Sequence, residues 1–276
     1  MSIHVHKTGL NKTLGQQSDG IVTTDLTGNF IPTAGIETLY WDNQVSSGLN
    51  LRRFNGVTHS TTDPDHFLLD GTDDYLGAAS TSYGGDPIQI GGGTRPFTLG
   101  QWFKYNNVNH YIFYCGTGAY VSLDGPPSGG YYSYILLEVL TSNDQCKLTV
   151  RDPYDSFNFI SNSDSATFSS FTFVDDTWYY VALTHDGAAD YSVYVNGSFI
   201  GSLTSTYALP YGTDSNAIEC GAKNIDGTKS YSGANTKIGH VHVYENGYLT
   251  NSQVRQNFLA THDINNTRVY GTTYTA

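Results

Sequence analysis

Apolar residues along this chain come in short bursts separated by clusters of Asp, Gly, Asn and Ser, and helical spacing emerges only near residue 250. From Gly20 to about Ala78 the bursts are Ile21-Val22, Phe30-Ile31, Leu39-Tyr40-Trp41 and Phe67-Leu68-Leu69, which predict short strands joined by long loops. In the segment Phe97 to Lys104, Phe97, Leu99 and Phe103 fall on one face and Trp102 on the other. Both faces are partly apolar, so this strand is predicted to lie at the centre of a sandwich sheet. Tyr111 to Gly116, Tyr131 to Leu140 and Lys147 to Arg151 continue the strand pattern.

The clearest local unit spans residues 177 to 203. Thr177 to Thr184 reads as a strand, His185-Asp186-Gly187 as a turn, and Tyr191 to Val195 as a second strand that runs into Asn196-Gly197. Asn and Gly both tolerate positive φ, so a two-residue hairpin is predicted there, with Ser198 to Leu203 returning antiparallel. Ile238 to Tyr244 alternates again. Thr250 and Gln253 then have the spacing of a capping box, in which each satisfies an amide of the other, ahead of Val254, Phe258 and Leu259. One short helix is expected from about Asn251 to Ala260, packed by Val254 and Phe258. The expected organisation is a polar N-terminal arm over residues 1–19, one domain over 20–262 and a C-terminal tail over 263–276.

Composition sharpens this into an all-β reading. The 276 residues include 30 Gly, 22 Tyr and 13 Phe against one Met, and 21 of the 25 acids are Asp, since the glutamates are only Glu37, Glu138, Glu219 and Glu245. Asp and Gly serve turns, whereas Tyr and Phe fit a pleated, half-buried surface. Acids outnumber bases by 25 to 13, for a net charge of -12, and no window is more basic than the pair Arg52-Arg53. Such a surface repels phosphate backbones, so no nucleic-acid partner is expected. No apolar run approaches the ~20 residues of a membrane span, and the residues after Met1 lack the apolar core of a secretory signal. Cys115, Cys146 and Cys220 are odd in number and widely spaced, which predicts buried free thiols.

Four of these segments, in this order, resemble the LamG-like, or concanavalin A-like, jelly-roll family. Phe67 to Tyr75 is similar to its early Phe-Asp-Gly-x-x-Asp-Tyr element, and Phe97 to Lys104 to its Phe-Thr-x-x-x-Trp-x-Lys strand. Thr177 to Ala182 with Tyr194 to Gly197 resembles its Trp-x-x-Val-Ala and Tyr-x-Asn-Gly hairpin, and Ile238 to Phe258 its closing strand and helix. Gly20 to Asn29 and Trp41 to Asn50 further resemble the opening half of such domains in structural proteins of marine tailed phages. The resemblance implies an antiparallel two-sheet jelly roll with one short C-terminal helix, and core positions for Trp41, Trp102 and Trp178. Where the family's closing strand often carries Asp after its first Ile, this chain has Gly239 and His240.

Candidate chemistry is sparse. The glucanases of this fold place Glu, Asp and Glu two apart on one strand face, and this chain has no Glu-x-Asp-x-Glu; of its glutamates only Glu138 is expected inside a strand. No catalytic residues are expected, and no Gly-x-Ser-x-Gly elbow is present. Calcium takes six to eight oxygens from irregular loops, and Asp42, Asp70, Asp73 and Asp74 are the candidate ligands. Tyr131, Tyr132, Tyr154 and Tyr211 sit in or beside Gly/Pro loops and are the candidate platform for a sugar ring. The pairs His4/His6 and His240/His242 would each share one face of a strand; without a third ligand they are expected to face solvent.

The leading expectation is a non-enzymatic virion structural protein of a tailed phage, assembled in the host cytoplasm and displayed on the capsid or tail as decoration, appendage or host-adhesion device. Its partners would be other virion proteins, a host-surface glycan, or further copies of itself. The alternative is a calcium-dependent, lectin-like glycan-binding module, and a third reading is a glycoside hydrolase of the same fold.

Overall fold

The computed structural model describes residues 20–45, 50–62, 64–78, 95–117, 133–151, 163–205, 217–225 and 228–262. The N-terminal arm, the tail, His4/His6 and all four candidate tyrosines lie outside the described residues.

Two eight-stranded antiparallel sheets face each other. The first runs β14 (Ser198–Thr204), β13 (Asp190–Val195), β12 (Thr177–His185), β7 (Phe97–Tyr105), β18 (Thr236–Glu245), β5 (His66–Leu69) and β4 (Thr58–Ser60), and β1 (Leu26–Phe30) also pairs with β18. The second runs β11 (Ser163–Phe168), β10 (Gln145–Arg151), β9 (Ser133–Leu140), β8 (His110–Thr117), β15 (Ala217–Cys220), β6 (Tyr75–Ala78), β3 (Leu51–Phe54) and β2 (Tyr40–Trp41). A separate hairpin joins β16 (Ala222–Ile225) to β17 (Thr228–Tyr231), and one helix, α1 (Asn251–His262), follows β18.

Alternation along the strands builds the core. Phe97, Leu99 and Phe103 of β7 point inward with Val181 and Leu183 of β12 and Val241 and Val243 of β18, and meet Ile135, Leu137 and Val139 of β9 from the other sheet. β7 lies between β12 and β18 as its two apolar faces require, since Trp102 on its outer side joins Tyr180, Val254 and Phe258 in a second cluster under α1. Trp41, Trp102 and Trp178 are all buried. The three cysteines are buried free thiols.

The hairpin at Asn196-Gly197 forms as expected: both residues have positive φ, 50° and 74°, and Val195 pairs directly with Ser198. The capping box closes differently. Gln253 Oε1 accepts the Thr250 amide at 2.9 Å, but the Thr250 hydroxyl donates to that same oxygen, so the box closes side chain to side chain. Helix α1 runs two residues beyond Ala260 because Trp102 Nε1 donates to Thr261 Oγ1 at 2.7 Å and fastens the last turn.

Two expectations are overturned. His240 and His242 do not face solvent: both are buried on the outer side of β18. The face is covered, with His242 edge-on to Tyr180, Tyr244 packed in the cluster under α1, and its hydroxyl donating to Val22 of the opening segment. And Glu138 is not the only strand glutamate, because Glu219 lies within β15 and is also buried, and Glu245 closes β18.

Candidate functional site

The loop between β5 and β6 brings three of the four predicted calcium ligands together. Asp70, Asp73 and Asp74 each offer a carboxylate oxygen, and these lie within 4.8 Å of one another. Local hydrogen bonds fix the loop: Thr72 N donates to Asp70 Oδ1 at 2.7 Å, forming an Asx-turn, and Asp70 N donates to Asp74 Oδ2 at 3.0 Å. Asn55, in the turn after β3, holds the loop from the side by donating from Nδ2 to the Asp73 carbonyl at 2.8 Å. Gly71 has φ 83° and lies so close to the backbone of Gly233 and Ala234 that a Cβ there would overlap it.

The three carboxylates are not equivalent. Asp70 and Asp73 are exposed, whereas Asp74 is 3% exposed and its Oδ1 is buried with no hydrogen-bond partner. Burial pushes the Asp74 carboxyl above its ordinary range; the Asp70 amide opposes this, and the Asp70 and Asp73 charges add to it. A desolvated carboxylate oxygen beside two further acids is a donor set suited to a hard, oxygen-seeking dication such as Ca²⁺. Asp42 stands apart from this group: its Oδ1 accepts Asn50 Nδ2 at 2.8 Å and its amide donates to the Gly35 carbonyl, so it ties the segment around β2 together.

Next to the loop, the outer face of the second sheet carries an array that the sequence reading missed. Tyr75, directly after Asp74, stacks on Phe54 with ring centres 4.3 Å apart. Tyr111 and Tyr114 of β8, Glu138 of β9 and Glu219 of β15 share this face, and the β16–β17 hairpin lies over it. Lys223 Nζ is 3.1 Å from Glu138 Oε2, and Lys229 Nζ is 2.9 Å from Glu219 Oε1. Strand alternation was the available signal for Glu219, since Ile218 and Cys220 on either side point into the core.

The two-sheet antiparallel jelly roll defines the class of fold; its carboxylate loop crosses from β5 of the first sheet to β6 of the second, beside the aromatic, acidic outer face of the second. The profile of the concanavalin A-like lectin/glucanases superfamily matches residues 70–255, and the chain belongs to that family. Among curated proteins no sequence match is found. Solved structures with a similar fold include the receptor-binding domain of the botulinum neurotoxin C/D mosaic serotype, at 13% identity and TM-score 0.56 over 88% of this chain and 52% of that one. The binding domain of botulinum neurotoxin DC, solved in complex with SialylT, matches at 11% identity and TM-score 0.53 over 86% of this chain and 51% of that one. The same domain solved with rat synaptotagmin II matches at 12% identity and TM-score 0.57, over 87% and 52%. The chain thus spans about half the length of these structures, and at such identities the likeness is one of fold.

Proposed function

We propose that this domain is a non-enzymatic recognition module that binds a glycan with the help of calcium held by Asp70, Asp73 and Asp74. The observation that carries the reading is the convergence of those carboxylates around a buried, unpartnered Asp74 oxygen. Asp70 and Asp73, being exposed, would share the ion with solvent or with sugar hydroxyls. Support for a non-enzymatic role comes from Glu138 and Glu219, the buried strand glutamates, each engaged by a lysine rather than open to a glycosidic bond. The test is binding of the purified protein to an array of bacterial surface polysaccharides, run with calcium and with chelator. Specific binding that disappears on chelation is expected; binding that survives it, or none in either condition, overturns the calcium-dependent reading.

The setting we propose is the particle of a tailed phage, with the domain displayed on capsid or tail as an adhesion or decoration element. What supports it is the likeness of Gly20 to Asn29 and Trp41 to Asn50 to the opening half of such domains in phage structural proteins, together with the net charge of -12. Mass spectrometry of purified particles tests the setting, and particles without this polypeptide overturn it.

A further inference from the structure

The β16–β17 hairpin forms its own two-stranded sheet, and among the described residues no strand ladder joins it to the sheet beneath. Its root is fixed by backbone bonds, from Gly221 N to the Tyr111 carbonyl at 2.8 Å and from Ser232 N to the Gly221 carbonyl at 2.7 Å. Its arms are held by side chains. Tyr114 donates to the Asn224 carbonyl at 2.5 Å, and Tyr231 packs 6.2 Å from Tyr75, ring centre to ring centre. Ala222 packs with Phe54 and Tyr75, and Ile225 against the cluster of Tyr111 and Tyr114. Two lysines add charged contacts, and both are seated alike. Lys229 Nζ lies between the Glu219 carboxylate and the Tyr75 ring, 3.4 Å from the ring centre. Lys223 Nζ lies between the Glu138 carboxylate and the Tyr111 ring, 4.4 Å from its centre.

A carboxylate and an aromatic face around one cation are the elements by which proteins recognise an ammonium group. The second oxygen of Glu219, Oε2, is buried with no hydrogen-bond partner, so that cage holds an acceptor its lysine does not use. Burial raises the Glu219 carboxyl from its ordinary range and Lys229 opposes the rise, so the ammonium group beside it is what favours its ionised form. Glu219 pairs across one side of β8 with Tyr114, and Glu138 across the other side with Tyr111. The two cages are therefore two strand spacings apart across the sheet and offset by the three residues from Tyr111 to Tyr114 along β8, a separation of roughly 13 Å that is within the span of a short oligosaccharide.

We propose that these cages are a binding site for a glycan bearing primary ammonium groups, a de-N-acetylated amino sugar, and that Lys223 and Lys229 are internal surrogates which such a ligand displaces. The inference rests on the glycan-binding reading and names a ligand class for it, at a face distinct from the carboxylate loop.

The test is calorimetry with fully deacetylated and fully acetylated chitin tetramers, in chelator so that the carboxylate loop does not contribute, on the wild type and on a Lys223→Gln/Lys229→Gln variant. The variant is expected to bind the deacetylated tetramer about tenfold more tightly than the wild type, and the acetylated one not at all. Adding Glu138→Gln and Glu219→Gln together should remove the gain; a gain that survives both marks nonspecific attraction to the acidic surface and overturns the proposal. Hydrogen exchange on the wild type gives a reading independent of variant folding: the deacetylated tetramer should speed exchange at Lys223–Ile225 and Thr228–Tyr231. No gain in the variant together with unchanged exchange also overturns it. Polysaccharide binding on the array with calcium but none here defeats this inference alone. Binding here with a blank array leaves the cages standing and defeats the calcium reading.

Discussion

His240 and His242 lie 4.2 Å apart, ring centre to ring centre, on one face of β18, and neither reaches solvent. His240 Nε2 meets Asn29 Oδ1 at 2.6 Å, while both ring nitrogens of His242 lack a partner. Burial pulls His242 from an ordinary value of 6.5 down to about 3 and His240 well below 6.5, and the buried His110 likewise falls to about 3. Because these pKa values are lower in the folded protein than in the unfolded chain, the unfolded chain takes up protons first. The stability they contribute is whole above pH 6.5 and is lost as the pH falls toward 3. The raised carboxyls of Asp74 and Glu219 act in the opposite direction, so a comparison with a variant isolates the imidazoles. Unfolding free energies from urea titrations between pH 7 and pH 4 should fall less steeply for His242→Phe than for the wild type, by up to about 1.4 kcal/mol per pH unit.

Calcium should raise the thermal midpoint of the wild type, and chelator should reverse the rise. At a hundredfold excess over Kd the linkage is worth about 2.7 kcal/mol. Asp74→Asn should lose the calcium increment yet be no less stable than the wild type in chelator, because it removes a desolvated charge beside Asp70 and Asp73. Differential scanning calorimetry in both conditions checks this, and a full calcium increment in the variant would remove Asp74 from the ligand set.

Gly71→Ala probes how the loop is held. The residue has φ 83° and a Cβ would overlap the Ala234 backbone, so the 70–74 loop must move away from its neighbour. Calcium affinity by isothermal titration should weaken about tenfold or more, with the core spectrum by near-ultraviolet circular dichroism unchanged.

Phe258→Ala should cost about 3–5 kcal/mol by chemical denaturation, since the fully buried ring stacks on Trp102 with centres 5.7 Å apart. An exposed substitution on the same helix, Ser252→Ala, should cost far less, and equal losses would show that α1 is not anchored through Phe258.

What could be read from the sequence follows how far its determinants reach. Asn196-Gly197 sets a two-residue turn through its own backbone preferences, and the two apolar faces of Phe97 to Lys104 require neighbours on both sides, so both were legible. Asp70, Asp73 and Asp74 were legible as a group because one Asx-turned loop carries all three. Asp42 was not separable from them, since nothing in its spacing reveals that Asn50 and Gly35 engage it instead. The burial of His240 and His242 depends on an opening segment and a helix more than 200 residues apart in sequence, as in the bond from Val22 N to Asn257 Oδ1, and no local pattern carries that. Glu219 was hidden because β15 is only four residues long, too short for alternation to stand out, and the lysine that meets it comes from a hairpin with no core of its own.

The order of strands also dictates how this chain can acquire its structure. β18 pairs with β7 on one side and with β5 and β1 on the other, and β15 pairs with β6 on one side and β8 on the other. Both sheets are thus completed by insertion of segments made after residue 216, so most of the nascent polypeptide must wait at the ribosome with open sheet edges. Folding dominated by such distant pairings is slow, and termination or proteolytic loss ahead of Thr236 would leave two unjoined half-sheets instead of a smaller working version of the domain.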